Sequence, residues 1–265
     1  MNLRMPGFAV PFMLCAFAVA PAHAAGPSYA EKLATSGTIT IATTGNAPPM
    51  TTVGTDGKLT GFDVELCRRI AEGLELKTEF VRVDFSATIP GLKAGRFDMI
   101  CSATARTPQR LASPDLSMSE PTIENFSTLL VKAGETTIAT VADAKGKTVG
   151  TVRGGQENKL LADIFGSDIT ITTYPGIAEE ILDLKNGRID AVAINYVTAS
   201  QHVKDDAALK VLKPGFAVDG VSPYTHALIV SRNQPELLEA VNTELKRLKD
   251  SGELAALEKE WIGGN

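Results

Sequence analysis

The chain has 265 residues, 44% of them hydrophobic and 22% charged; this globular composition excludes disorder and is enough for two core-bearing units of ordinary size. With 26 basic against 31 acidic residues the net charge is −5, and no basic stripe favours nucleic acid. The first stretch carries one basic residue (Arg4), an apolar run broken by Pro6 and Pro11, and the triplet Ala22-His23-Ala24. That is the plan of a secretory signal peptide cut near Ala24, so residues 1–24 are set aside from fold reasoning and the product is expected outside the cytoplasm. No later window approaches the ~20 apolar residues of a membrane span. Cys67 and Cys101 remain after the leader, and a bridge between them is open to a chain on an export route. His202 and His226 are isolated and no residues have metal-ligand spacing, so neither metal nor cofactor is expected.

In chain order the predicted elements begin with a strand, TITIAT (38–43), and a helix, GFDVELCRRIAEGL (61–74), in which Leu66, Ile70 and Leu74 share one face. Asp63 and Glu65 stand where acids suit a helix N-terminus. A strand TEFVRV (78–83), a short helix in SATIPGLKAG and a strand FDMIC (97–101) follow. After STLLV (127–131) the pattern restarts with KTVGTV (147–152), a helix from Gln156 to Ile164, ITITTY (169–174), a helix from Ile177 to Lys185, and DAVAI (190–194). THALIV (225–230) is the last predicted strand. A helix with Leu238, Val241, Leu245 and Leu248 on one face follows it, and ELAALEKEWIGG closes the chain as a short helix. Strand and helix alternating in this way argue for α/β units with parallel sheets covered by helices.

Catalytic signatures are missing from the sequence: there is no G-x-S-x-G, H-E-x-x-H or G-x-G-x-x-G. VADAKGKT (141–148) ends like a phosphate-binding loop, but it begins with valine where the loop needs glycine and precedes a strand, so it reads as a surface turn.

Several stretches, taken together and in order, carry a resemblance. GFDVELCRRIAEGL, TSGTITIAT followed by APPM, ATIPGLKAGRFDMI, RTPQR, DLS, GKTVGTVRGG, NGRIDAV and ELKRLKDSGELAALEKEWIGG resemble the polar amino acid family (family 3) of periplasmic solute-binding proteins of ABC importers, over roughly residues 34–264. The resemblance implies a two-lobed α/β fold (type II), each lobe a mostly parallel sheet flanked by helices, with the solute held between the lobes. Lobe one would be residues 25–121 with 222–265, lobe two 125–218, and the crossovers 121–124 and 219–222. It further implies a periplasmic monomer that closes on a small carboxylate-bearing solute, an amino acid or a derivative of one, and delivers it to an inner-membrane ABC permease. Some relatives are similar to a secreted cyclohexadienyl dehydratase, which leaves an enzyme on the same scaffold as the alternative; Glu157 is the one general acid it could offer.

The arginine closing RTPQR maps to the family's carboxylate clamp, Arg110, and its planar five-donor fork suits that task on physical grounds as well. Backbone N–H groups of Ala103 and Ala105, with Ser102 and Thr104 between strand and helix, lie where open sheets place ligands, beyond strand C-terminal ends. Phe85 maps to an aromatic that stacks on the solute, and Gln156 at a helix start would add donors from the second lobe. Relatives that bind free amino acids pair the ammonium with two aspartates, and here those positions are Thr44 and Asn195. With both aspartates replaced, the expected solute is a carboxylate whose amine is absent, modified or neutral; an unmodified amino acid is the second reading, in which Asn195 accepts one bond from the amine and Asn46 or Glu157 compensates.

Overall fold

The computed structural model describes Met1, residues 28–218 and residues 222–263. The expected leader, residues 219–221 of the second expected crossover and the last two residues lie outside the described residues. The first part of the chain gives β1 (Thr38–Thr43), β2 (Thr52–Val53), β3 (Leu59–Thr60), α1 (Phe62–Gly73), β4 (Lys77–Arg82), α2 (Phe85–Lys93), β5 (Met99–Ile100), α3 (Pro108–Leu111) and β6 (Leu116–Met118). After β7 (Glu124–Asn125) come β8 (Ser127–Lys132), β9 (Thr148–Val152), α4 (Gln156–Phe165), β10 (Thr170–Tyr174), α5 (Ile177–Lys185), β11 (Ala191–Asn195), α6 (Tyr196–Asp205) and β12 (Leu209–Val211). The chain then returns through β13 (Tyr224–Thr225) to β14 (Ile229–Ser231), α7 (Pro235–Asp250) and α8 (Glu253–Trp261).

Two five-stranded sheets organise these elements, in the orders β4-β1-β5-β14-β6 and β10-β9-β11-β8-β12. β1 runs parallel to β4 and β5, and β9 parallel to β10 and β11. Each sheet also contains one reversed strand: β14 is antiparallel to β5 and β6, and β8 to β11 and β12. Those two follow directly on β13 and β7, which pair antiparallel between the sheets. The expected strand THALIV is thus two short strands, one in the connecting ribbon and one in a sheet.

The small and β-branched residues of β1, TITIAT, follow from its place in the sheet. Ile39 and Ile41 pack with α1, α7 and α8, while Ala42 packs on the other face with Leu92, Phe97 and Ile229. A strand covered on both faces is buried along its length, as β1 is from Ile39 to Thr43, whereas edge strand β4 alternates between exposed and partly buried residues. In α7 the buried face is Leu237, Val241, Leu245 and Leu248; Leu238, expected on that face, is only partly buried. Leu74 is likewise peripheral, just beyond the end of α1. Gly61, at φ 121°, lets α1 start against the Pro49-Met50 turn, whose carbonyls accept the first free N–H groups of the helix, from Phe62 and Asp63. A Cβ on Gly61 would lie 2.5 Å from the Met50 carbonyl oxygen.

Cys67 of α1 and Cys101 at the end of β5 are joined in a disulfide that spans 34 residues. Closing a loop of that length removes about 3–4 kcal/mol of freedom from the unfolded chain. Cys67→Ser is therefore expected to lower unfolding stability by about that amount in urea, with reductant lowering the parent protein equally and leaving the variant unchanged.

Candidate functional site

Parallel strands end in loops at one edge of a sheet, and the two sheets turn those edges toward each other. Loops after β1 and β5 on one side, and after β9 and β11 on the other, enclose a cavity of about 620 Å³ counting the mouth that opens to solvent. Asn46, Phe85, Ser102, Ala103, Ala105, Arg110, Gln156 and Asn195, eight of the nine residues expected from sequence, line it. Thr104 does not: it is 2% exposed, and its hydroxyl donates to the Ser102 carbonyl at 3.3 Å.

Arg110 belongs to the one-turn helix α3, whose start is capped by Thr107, the Thr107 hydroxyl accepting the Arg110 N–H at 3.2 Å. From there the guanidinium reaches between the lobes. It donates to the Ala105 carbonyl at 3.0 Å and, across the cleft, to the Gly154 carbonyl at 3.3 Å, with its central carbon 5.7 Å from the Phe85 ring centroid. Burial presses its pKa down, while Glu157 and Tyr224 hold it up, so the cation persists. Among the described residues it joins no ion pair, and three of its five N–H groups remain for a ligand.

The backbone donors divide. Ala103 stands at φ 47° and gives its N–H to the carboxylate of Asp63, so it has none to offer a solute. Burial raises the pKa of Asp63 to about 7, against the pull of that Ala103 bond. Among the described residues the Ala105 N–H meets no acceptor. Ser102 lines the cavity while its hydroxyl is shared with Thr44, the Thr44 N–H donating to it at 3.2 Å, and Thr44 in turn meets Thr51 at 3.1 Å.

The expectation that Asn195 would accept a bond from an amine is corrected by its surroundings. Asn195 is the N-cap of α6, and its Oδ1 already accepts from Thr198 N at 2.9 Å and from Asn125 Nδ2 at 3.1 Å. With both lone pairs engaged, its amide can only donate toward the cavity. Acidic groups come from the second lobe instead. Glu157 accepts from Ser127 Oγ at 2.8 Å; burial raises its pKa, with Arg110 opposing. Glu180 also lines the cavity, a residue the sequence reading passed over. A signal for it existed: with Ile177, Ile181 and Leu184 it forms the buried face of α5, so one acid sits on an apolar stripe. Tyr224, also unanticipated, brings its phenol from β13 among Ser127, Gln156, Glu157 and Arg110.

An interlobe cleft with a guanidinium at its centre defines a binding protein for small solutes. The profile of bacterial extracellular solute-binding proteins, family 3, matches residues 39–264, and the chain belongs to that family. It is similar to the L-cystine-binding protein TcyJ of Escherichia coli strain K12, 30% identical over 237 residues, covering 89% of this chain and 86% of the relative. Among solved structures it resembles the amino acid ABC transporter substrate-binding protein AbpA from Streptococcus pneumoniae bound to L-arginine. The TM-score is 0.80 at 26% identity, over 87% of this chain and 96% of that one. An ancestral amino acid-binding protein described as a precursor of cyclohexadienyl dehydratase, AncCDT-1, gives a TM-score of 0.77 at 27% identity, over 85% and 96%.

His226 is bridged to Ala105 next to the connecting ribbon and is 1% exposed. Burial, and then the Arg110 charge, lower its pKa from 6.5 to about 3. The folded state therefore keeps the ring neutral while the unfolded chain takes up a proton below pH 6.5. Stability from this group is intact above that pH and is lost as pH falls toward 3, by up to roughly 5 kcal/mol. Urea unfolding across pH 3.5–7 is expected to give a flatter acid limb for His226→Asn than for the parent.

Proposed function

We propose that the protein is a non-catalytic periplasmic binding component of an ABC importer, and that it captures an amino acid or amino-acid derivative by its carboxylate. The observation that carries this is Arg110: a guanidinium in the cleft between two lobes, outside any ion pair, next to an aromatic face and the free Ala105 N–H. An anion placed there gains two parallel charge-assisted bonds to a guanidinium that no ion pair among the described residues neutralises. The solute's α-ammonium falls to Glu157, because the oxygens of Thr44 and Asn195 are committed elsewhere. Amino-acid binding in the named relatives supports this class of solute.

Closure would pivot on the β7/β13 ribbon, in which β7 begins at Glu124, the last residue of the first expected crossover, and β13 begins two residues after the second, at Tyr224. Direct contact across the cleft supports the reading that this is a closed form: a Cβ on Gly176 of lobe two would come 2.4 Å from Asn46 Nδ2 of lobe one. The closed monomer is what an inner-membrane permease would recognise. Among the described residues no helix is long and apolar enough to cross a membrane.

A thermal-shift screen of amino acids, their derivatives and plain carboxylates tests this, since a ligand at 100 times its Kd stabilises by about 2.7 kcal/mol. Arg110→Ala is expected to weaken every positive compound by at least ~100-fold while the fold persists. Full binding by that variant would remove the clamp. Turnover of prephenate or arogenate by the purified protein would favour the dehydratase-like alternative, with Glu157 as its acid.

A further inference from the structure

We infer that Glu180 is a specificity-determining residue and that the solute carries a cationic group at the end of its side chain, seated on this carboxylate at the lobe-two floor of the cleft. The inference rests on the amino-acid reading above and extends it to basic amino acids.

Glu180 is 0% exposed, it lines the interlobe cavity, and neither carboxylate oxygen has a hydrogen-bond partner among the described residues. Three buried atoms of cavity-lining residues lack a partner: Gln156 Oε1 and the two Glu180 oxygens. Gln156 Oε1 is an acceptor, and both Glu180 oxygens are acceptors once the carboxyl is ionised, so a cationic donor arriving here would meet them and hold Glu180 in its charged form. An unpaired buried carboxylate is costly, and an apolar residue at this point of the α5 stripe would pack without that cost. The acid earns its place only if something arrives to meet it.

The fold makes room for it. Glu180 packs over Gly150 of β9, where an added Cβ would fall 2.6 Å from Ile189 Cδ1, 3.1 Å from Tyr174 Cε2 and 3.5 Å from the Glu180 Cβ. The charges acting on Glu180 are those of Glu157 and Glu179, both acids, and with burial they push its pKa well above the usual carboxylate range. Glu157 acts on Arg110 as well, whereas Arg110 is not among the charges acting on Glu180. Arg110, Glu157 and Glu180 line one cavity, and Glu157 acts on both of the others; that suits Glu157 to an α-ammonium beside the clamped carboxylate and leaves Glu180 for the far end of the solute.

Two matched pairs test this by titration calorimetry: L-lysine with L-norleucine, and L-arginine with L-citrulline. The parent protein is expected to bind the cationic member of at least one pair ten-fold or more tighter. Glu180→Gln is expected to lower the affinity for that cation by at least ~30-fold and to spare its neutral partner, closing the gap. Glu157→Gln should weaken both members alike, because both carry the α-ammonium. Parent protein that prefers the neutral members, or a Glu180→Gln variant that keeps the full gap, overturns the inference while leaving the carboxylate clamp standing. Should Glu180→Gln fail to fold, the parent's ranking within the two pairs decides. If no amino acid binds the parent, or Arg110→Ala binds as well as the parent, the amino-acid reading itself falls and takes this inference with it.

Discussion

A guanidinium suspended between two sheets sets the terms for everything around it. Arg110 reaches the cleft from a helix of four residues, and its hold on the Ala105 and Gly154 carbonyls spans both lobes. Protein carbonyls satisfy part of its donor set without neutralising it. The surrounding groups answer that charge: Glu157 across the cleft, a phenol from the connecting ribbon, and a buried imidazole kept neutral by its neighbourhood. A cation held this way is ready for an anion and need not rearrange to receive one.

Both lobes solve the same problem with the same strand order, and the site follows from it. Three parallel strands per sheet deliver their ends to the cleft, and the reversed fourth strand in each sheet is the one arriving directly from the connecting ribbon. The ribbon therefore feeds an interior strand of each sheet, one in from the edge. Ala47 of the first lobe packs among Tyr174 and Ile177 of the second, which shows how little solvent is left between the walls.

Much of this was legible in the sequence because burial leaves periodic marks. β1 and α5 fall on the expected residues, and the family motifs led to Arg110, Phe85 and Gln156 lining the cavity. What was not legible is where polar atoms spend their hydrogen bonds. Nothing in the string says that Ala103 gives its N–H to an aspartate 40 residues earlier, or that Asn195 caps a helix with the oxygen assigned to a solute. The splitting of THALIV between ribbon and sheet escaped for a related reason: an apolar β-branched run records burial and not the partner strand. Glu180 is legible in the sequence, since an acid on the apolar face of an amphipathic helix contradicts the pattern around it.

The Cys67–Cys101 bridge ties α1 to the strand that leads into the Arg110 loop, and both of its ends lie in elements of a single lobe. A covalent tie from one lobe to the other would freeze the cleft in one state. This one stiffens the platform that bears Arg110 and places no covalent constraint on how the two lobes sit relative to each other.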